Sequence, residues 1–168
     1  GGVSGDAPVE VSTSGSTPVL TLGSNSNRWK IQNLKLVKTG NNDNPTIRDL
    51  SPSSYGFQFV RCDVSNTSTG GTRCVGYLHE STSAVTFLRR IFRECAFHHC
   101  NSGAFRRVPV GTSQTWGLSF YNCFFYTLPA NAVALDIRRT RGVFVWNCLF
   151  YDYEEYAYGA SGDLYGDC

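Results

Sequence analysis

Apolar and polar residues alternate along this chain in short bursts, and the bursts return at a steady period. SFYNCFFY (Ser119 to Tyr126) and FVWNCLFY (Phe144 to Tyr151) are nearly the same string, 25 residues apart. Aligning Cys62, Cys95, Cys123 and Cys148 in one column, with Leu34 one unit earlier, gives steps of 28, 33, 28 and 25 residues. Three places before the column stand Ile31, Phe59, Phe92, Phe120 and Val145. Two places after it stand Leu36, Val64, Phe97, Phe125 and Phe150, and five before it Trp29, Phe57, Arg90, Leu118 and Val143. Fourteen of these fifteen residues are apolar, which makes the register firm. Such alternation predicts strands. Its phase breaks at the place before the column, which holds Asn33, Arg61, Glu94, Asn122 and Asn147. Two short strands therefore meet at a tight bend in each unit. Asn suits that bend, since it tolerates the left-handed conformation and its amide bonds locally.

Each unit carries a third apolar stretch upstream: PVLTL, PTIRDL, RCVGYL, RVPV and VALDI in turn. Turn-rich segments such as KTGNNDNP and NTSTGGT separate the stretches. Three short strands per 25–33 residues, repeated five times, predict an all-β chain folded as a single-stranded right-handed parallel β-helix of about five coils. A sandwich of hairpins would not need a column at this period. The expected division is an N-terminal cap or linker over 1–16, the β-helix over 17–152, and a C-terminal cap or the start of a further coil over 153–168.

The Asn33, Asn122 and Asn147 column, with the inward stack beside it, resembles the pectate-lyase-like β-helix superfamily. The resemblance covers roughly residues 17–152. It implies the fold and leaves the function wide, because that fold carries lyases, hydrolases, adhesins and phage tailspike or tail-fibre modules.

Stacking at the parallel-strand spacing of roughly 4.8 Å turns each column into a ladder along a rod. The seven cysteines are an odd number, and four sit inside apolar runs. Stacked Cβ atoms near 4.8 Å are too far apart for the roughly 3.8 Å that a disulfide needs. The expectation is buried, free, unreactive thiols filling a corner, rather than a disulfide scaffold or a catalytic nucleophile. Arg61 and Glu94 are expected to pair where they replace two Asn rungs.

The outward positions change character along the rod. Gln32, Lys35, Gln58 and Asp63 give way to Tyr121, Phe124, Phe144, Trp146 and Leu149. An apolar patch on a solvated face needs a partner. Candidates are another subunit, the chain's own tail, or sugar rings.

Candidate chemistry is sparse. By the resemblance, catalysis would use outward residues of the first strand. There the chain offers Arg48, Asp49, Arg106, Arg107, Asp136, Arg138, Arg139 and Arg141. A lyase would add Ca²⁺ held by carboxylates. A hydrolase needs two carboxylates about 5–9.5 Å apart, whereas Asp49 and Asp136 fall three coils, roughly 14 Å, apart. The acidic tail residues Asp152, Glu154, Glu155, Asp163 and Asp167 are expected to solvate the end of the rod. His98, His99 and Cys100 have the types of metal ligands but not the spacing of a structural zinc site. Alternation also sends the two His to opposite sides, so no metal is expected. Asn66 opens a lone glycosylation sequon.

A net charge of +2 gives no field to argue for nucleic acid. No apolar run reaches the roughly 18 residues of a membrane span. The chain has no Met and opens Gly-Gly, as a processed chain or an excised domain would. The expectation is a tailspike-like or adhesin-like module, on a virion or cell surface, serving structure and glycan contact. It would work as a homo-oligomer such as a trimer, or as part of a longer parent chain, without a resident cofactor. The alternatives are a polysaccharide lyase or hydrolase of an acidic glycan, sited around Asp136, Arg138 and Arg139, and a purely architectural rod.

Overall fold

The computed structural model describes residues 8–23, 28–51, 56–81, 85–109, 114–129, 132–137, 140–153 and 156–159. Arg138, Arg139, Glu154, Glu155, Asp163, Asp167 and Cys168 lie outside the described residues. The strands run in chain order: β1 (Val9–Thr13), β2 (Leu20–Leu22), β3 (Lys30–Gln32), β4 (Leu34–Lys38), β5 (Ile47–Asp49) and β6 (Phe57–Val60). Then come β7 (Asp63–Asn66), β8 (Tyr77–Ser81), β9 (Val85–Arg93), β10 (Ala96–His98), β11 (Gly103–Pro109) and β12 (Gln114–Tyr121). The last are β13 (Phe124–Leu128), β14 (Val133–Asp136), β15 (Thr140–Trp146), β16 (Leu149–Tyr153) and β17 (Tyr156–Gly159). Every third strand joins the same sheet. Sheet A is β1-β4-β7-β10-β13-β16, sheet B is β2-β5-β8-β11-β14-β17, and sheet C is β3-β6-β9-β12-β15. All described pairings are parallel, so the chain is an all-β parallel β-helix. No helix long and apolar enough to cross a membrane occurs among the described residues.

The columns read from sequence are the ladder registers. Phe59↔Phe92↔Phe120↔Val145 run in sheet C, and Leu36↔Val64↔Phe97↔Phe125↔Phe150 in sheet A. Their rings stack face to face: Phe59–Phe92 at 5.2 Å, Phe92–Phe120 at 4.9 Å, Phe97–Phe125 at 5.4 Å and Phe125–Phe150 at 4.6 Å. Tyr77 and Phe105 stack likewise from sheet B. Burial drives this interior, and each aromatic pair adds about 0.5–1.5 kcal/mol beyond it.

The bend behaves as its residues require. Asn33, Arg61, Glu94, Asn122 and Asn147 all have positive φ, between 49° and 57°. Asn147 Nδ2 donates to Asn122 Oδ1 at 2.9 Å, a rung of an asparagine ladder. The expected Arg61–Glu94 pair does not form among the described contacts. Both side chains are exposed, and the bend there is held by backbone bonds such as Arg61 N to Arg93 O and Glu94 N to Tyr121 O.

Cysteine does more at the corner than fill it. Each thiol donates across the bend to the carbonyl two residues back: Cys62 to Val60, Cys95 to Arg93, Cys123 to Tyr121 and Cys148 to Trp146, at 3.3–3.6 Å. The six described cysteines are free, and all but Cys148 are buried. Burial pushes Cys100 up to about 12. Such thiols are poor nucleophiles. A thiol titration in denaturant should therefore find at least these six, with Cys62, Cys74, Cys95, Cys100 and Cys123 shielded in the native protein. A disulfide among them, or fast native labelling of Cys123, would contradict the ladder.

Several expectations shift. Val9–Thr13, inside the segment assigned to a cap or linker, pairs with Leu34–Lys38 as a rung of sheet A. Tyr156–Gly159 pairs with β14, in keeping with the further coil that is one of the two expectations for 153–168. In the fourth unit the apolar inward residue of sheet B is Phe105, in register with Tyr77 and Leu135 and upstream of RVPV, whose Arg107 also points inward. Trp29, at the first rung of an inward column, is 59% exposed. Asn66 of the sequon is buried, with its amide donated to the Asn44 and Val75 carbonyls, so the site is closed to glycosylation.

Candidate functional site

Asp49 and Arg107, taken as outward candidates, point inward and are buried. Leu22↔Asp49↔His79↔Arg107 is an inward column of sheet B, and Arg90 enters the same space from sheet C. Asp49 Oδ2 accepts from the Tyr77 hydroxyl at 2.6 Å and from Arg90 Nε at 2.8 Å, and lies 3.3 Å from His79 Nδ1. Its other oxygen accepts from Ser51 Oγ at 2.5 Å and Ser51 N at 3.0 Å. The Arg90 guanidinium also lies 4.3 Å over the Phe57 ring. Burial alone would raise the Asp49 pKa; the neighbouring His79 and Arg90 overcome it and hold the carboxyl well below its usual range. Nothing here opens to solvent: Asp49, His79 and Arg90 are wholly buried, so this network fixes the interior.

Of the remaining catalytic candidates, Arg48, Arg106 and Asp136 lie in sheet B and Arg141 in β15 of sheet C. Asp136 is nearly buried, with Arg106 Nε 3.3 Å away. Glu80 is held by Arg48 at 2.7 Å and by Arg73. The two carboxylates sit in separate guanidinium pairs rather than facing each other across a cleft. No group of three metal-ligating side chains occurs among the described residues.

The aromatic candidates stand on two outer faces that meet at the asparagine bend. On sheet C, Phe144 and Trp146 are 56% and 63% exposed, and Tyr121 is half-buried between Phe144 and the Arg93 guanidinium. On sheet A, Phe124 and Leu149 are 47% and 50% exposed, and Tyr151 beside them is also exposed.

A site missed from sequence lies at the far edge of sheet A. His98 Nε2 is 2.7 Å from Asp63 Oδ1, and His98 Nδ1 is 2.6 Å from His99 Nδ1. The His98 ring stacks on Tyr126, which stacks on Tyr151. The two His were expected on opposite sides. They touch because His99 takes φ 50° and ends the alternation at a second bend. Thr127 and Asp152, at the equivalent place on the next two rungs, take φ 50° and 54°. His and Asp tolerate that region; Thr does not, at a cost of about 1–2 kcal/mol. The bend borders a concavity of about 290 Å³ lined by Thr67, His99, Asn101, Thr127, Leu128 and Asp152. Pro129 completes its wall.

One proton serves the His98 Nδ1–His99 Nδ1 contact, and His99 Nε2 has no described partner. Apolar walls beside unpaired polar atoms on a rigid frame suit ligand binding. No protein-family model, curated protein or solved structure matches the chain.

Proposed function

We propose that this chain is a β-helix module of a surface assembly, tailspike-like or adhesin-like, that serves structure and contacts a glycan through the outer faces of its last coils. One observation carries the reading: Phe144, Trp146, Phe124, Leu149 and Tyr151 are all exposed on two adjoining faces, where earlier rungs carry Gln32, Gln58, Lys35 and Asp63. Rigid aromatic rings offer large contact area at low entropic cost, the usual way to meet sugar rings. The enzyme alternative has less support, since Asp136 and Glu80 are each held by arginine.

The test is a tryptophan-fluorescence titration with oligosaccharides. Binding is expected to change emission, and Trp146→Ala should weaken it about tenfold, the scale of one aromatic contact. Its melting temperature should stay within about a degree or two, as for an exposed side chain. Unchanged affinity in Trp146→Ala would overturn the assignment. A second reading, self-association over the same coils, is favoured by the inward-facing Val145, which remains 40% exposed. A concentration-dependent blue shift of Trp146, without sugar, would select it.

A further inference from the structure

Deepening the glycan-contact reading, on which this rests, we infer that the concavity at the second bend is a subsite for one uncharged, hydroxyl-rich sugar residue. Four of its lining residues carry a polar group with no described protein partner. His99 Nε2 is one, its Nδ1 being taken by His98. The Asn101 amide NH₂ donates to Ser68 O at 2.9 Å, which leaves Oδ1 as an acceptor. The Asp152 carboxylate and the Thr127 hydroxyl are the others. Asn101 Oδ1 and the Asp152 carboxylate accept, and the Thr127 hydroxyl donates or accepts, so a ligand rich in O–H groups complements them.

The same inventory rejects an acidic sugar. No Lys or Arg lines the concavity. A uronate would bring its carboxylate toward Asp152 with no cation to receive it. Leu128 and Pro129 provide the apolar wall on which a pyranose C–H face would rest, and 290 Å³ is the low end of small-ligand pockets, room for one ring. Thr127 supports the assignment. A bend needs αL, and Asn would serve it better, as it does at the first bend; the retained β-branched hydroxyl points to a use for that group. The aromatic face of sheet A adjoins through Tyr126 and Tyr151, so a chain lying along Phe124, Leu149 and Tyr151 would deliver its next residue here.

The experiment is amide NMR on the full chain, titrated separately with neutral gluco-, manno- and galacto-oligosaccharides and with oligogalacturonate. At least one neutral series is expected to shift the amides of His99, Thr127 and Leu128, and oligogalacturonate to leave them still. His99→Ala should weaken neutral binding about tenfold. Thr127→Asn, which relieves the backbone, should raise the melting temperature while weakening binding severalfold. That opposite movement separates a lost contact from a damaged fold. Shifts confined to the Trp146 face, or uronate binding here as tightly as a neutral sugar, would overturn the subsite and leave the glycan-contact reading standing. No shift anywhere with any sugar would remove both.

Discussion

Asp49→Ala is expected to lower stability by about 3–5 kcal/mol, because it leaves the Arg90 guanidinium buried without its counter-charge. Against a typical total of about 5–15 kcal/mol, that is enough to leave much of the chain unfolded at moderate temperature. Tyr77 and Ser51 would lose their acceptor at the same time. Urea unfolding followed by circular dichroism reads the loss. Replacing Asp49 and Arg90 together by Leu and Met should cost far less, since no unpaired charge remains. A single variant as stable as wild type would mean that the carboxylate is not what holds Arg90. The pH dependence follows from the same pair. The folded carboxyl titrates well below its unfolded value of about 3.9. Its contribution is therefore full above that value and drains away as pH falls through the acid range toward the folded pKa, because the unfolded chain takes up the proton first. In Asp49→Asn that part of the acid slope should vanish.

Phe92→Ala is expected to cost about as much, 3–5 kcal/mol, through a cavity at the centre of the rod. Phe92 is stacked on both Phe59 and Phe120 and meets Tyr77, Phe97 and Phe105 edge-on. No other ring is hemmed on so many sides among the described pairs, so the site cannot collapse around the missing volume. Phe92→Leu, which keeps most of that volume, should cost visibly less. Equal melting temperatures for wild type and Phe92→Ala would show that the stack is not continuous.

The columns legible in the sequence were those beside the bend. A residue forced to positive φ resets the alternation, and the reset is visible as apolar residues three apart, Phe120 and Cys123 for one. The second bend carries the same mark at Phe97 and Cys100 and at Phe125 and Leu128. It was hidden because His, Thr and Asp stand there rather than Asn, and nothing in a neutral reading of HHC says that one His turns a corner. Sheet B was harder still. Its strands are short and joined by links of unequal length, so the register that puts Asp49, His79 and Arg107 in one inward column had no counterpart in spacing. Arg90 was the one clue, a charge in an otherwise apolar column. It marked a buried ion pair whose partner, Asp49, lies 41 residues away. The aromatic face was readable because outward positions follow directly once the inward register is known.

The glycan-contact reading and its subsite meet in one measurement: a glycan-array profile of the wild-type chain beside a chain carrying both Trp146→Ala and His99→Ala. The expected result is binding to neutral glycans by the wild type, little to uronate-rich ones, and loss of the signal in a double variant that still melts cooperatively. A wild-type chain that melts cooperatively yet binds no glycan on the array, or a double variant that binds as well as wild type, would contradict it.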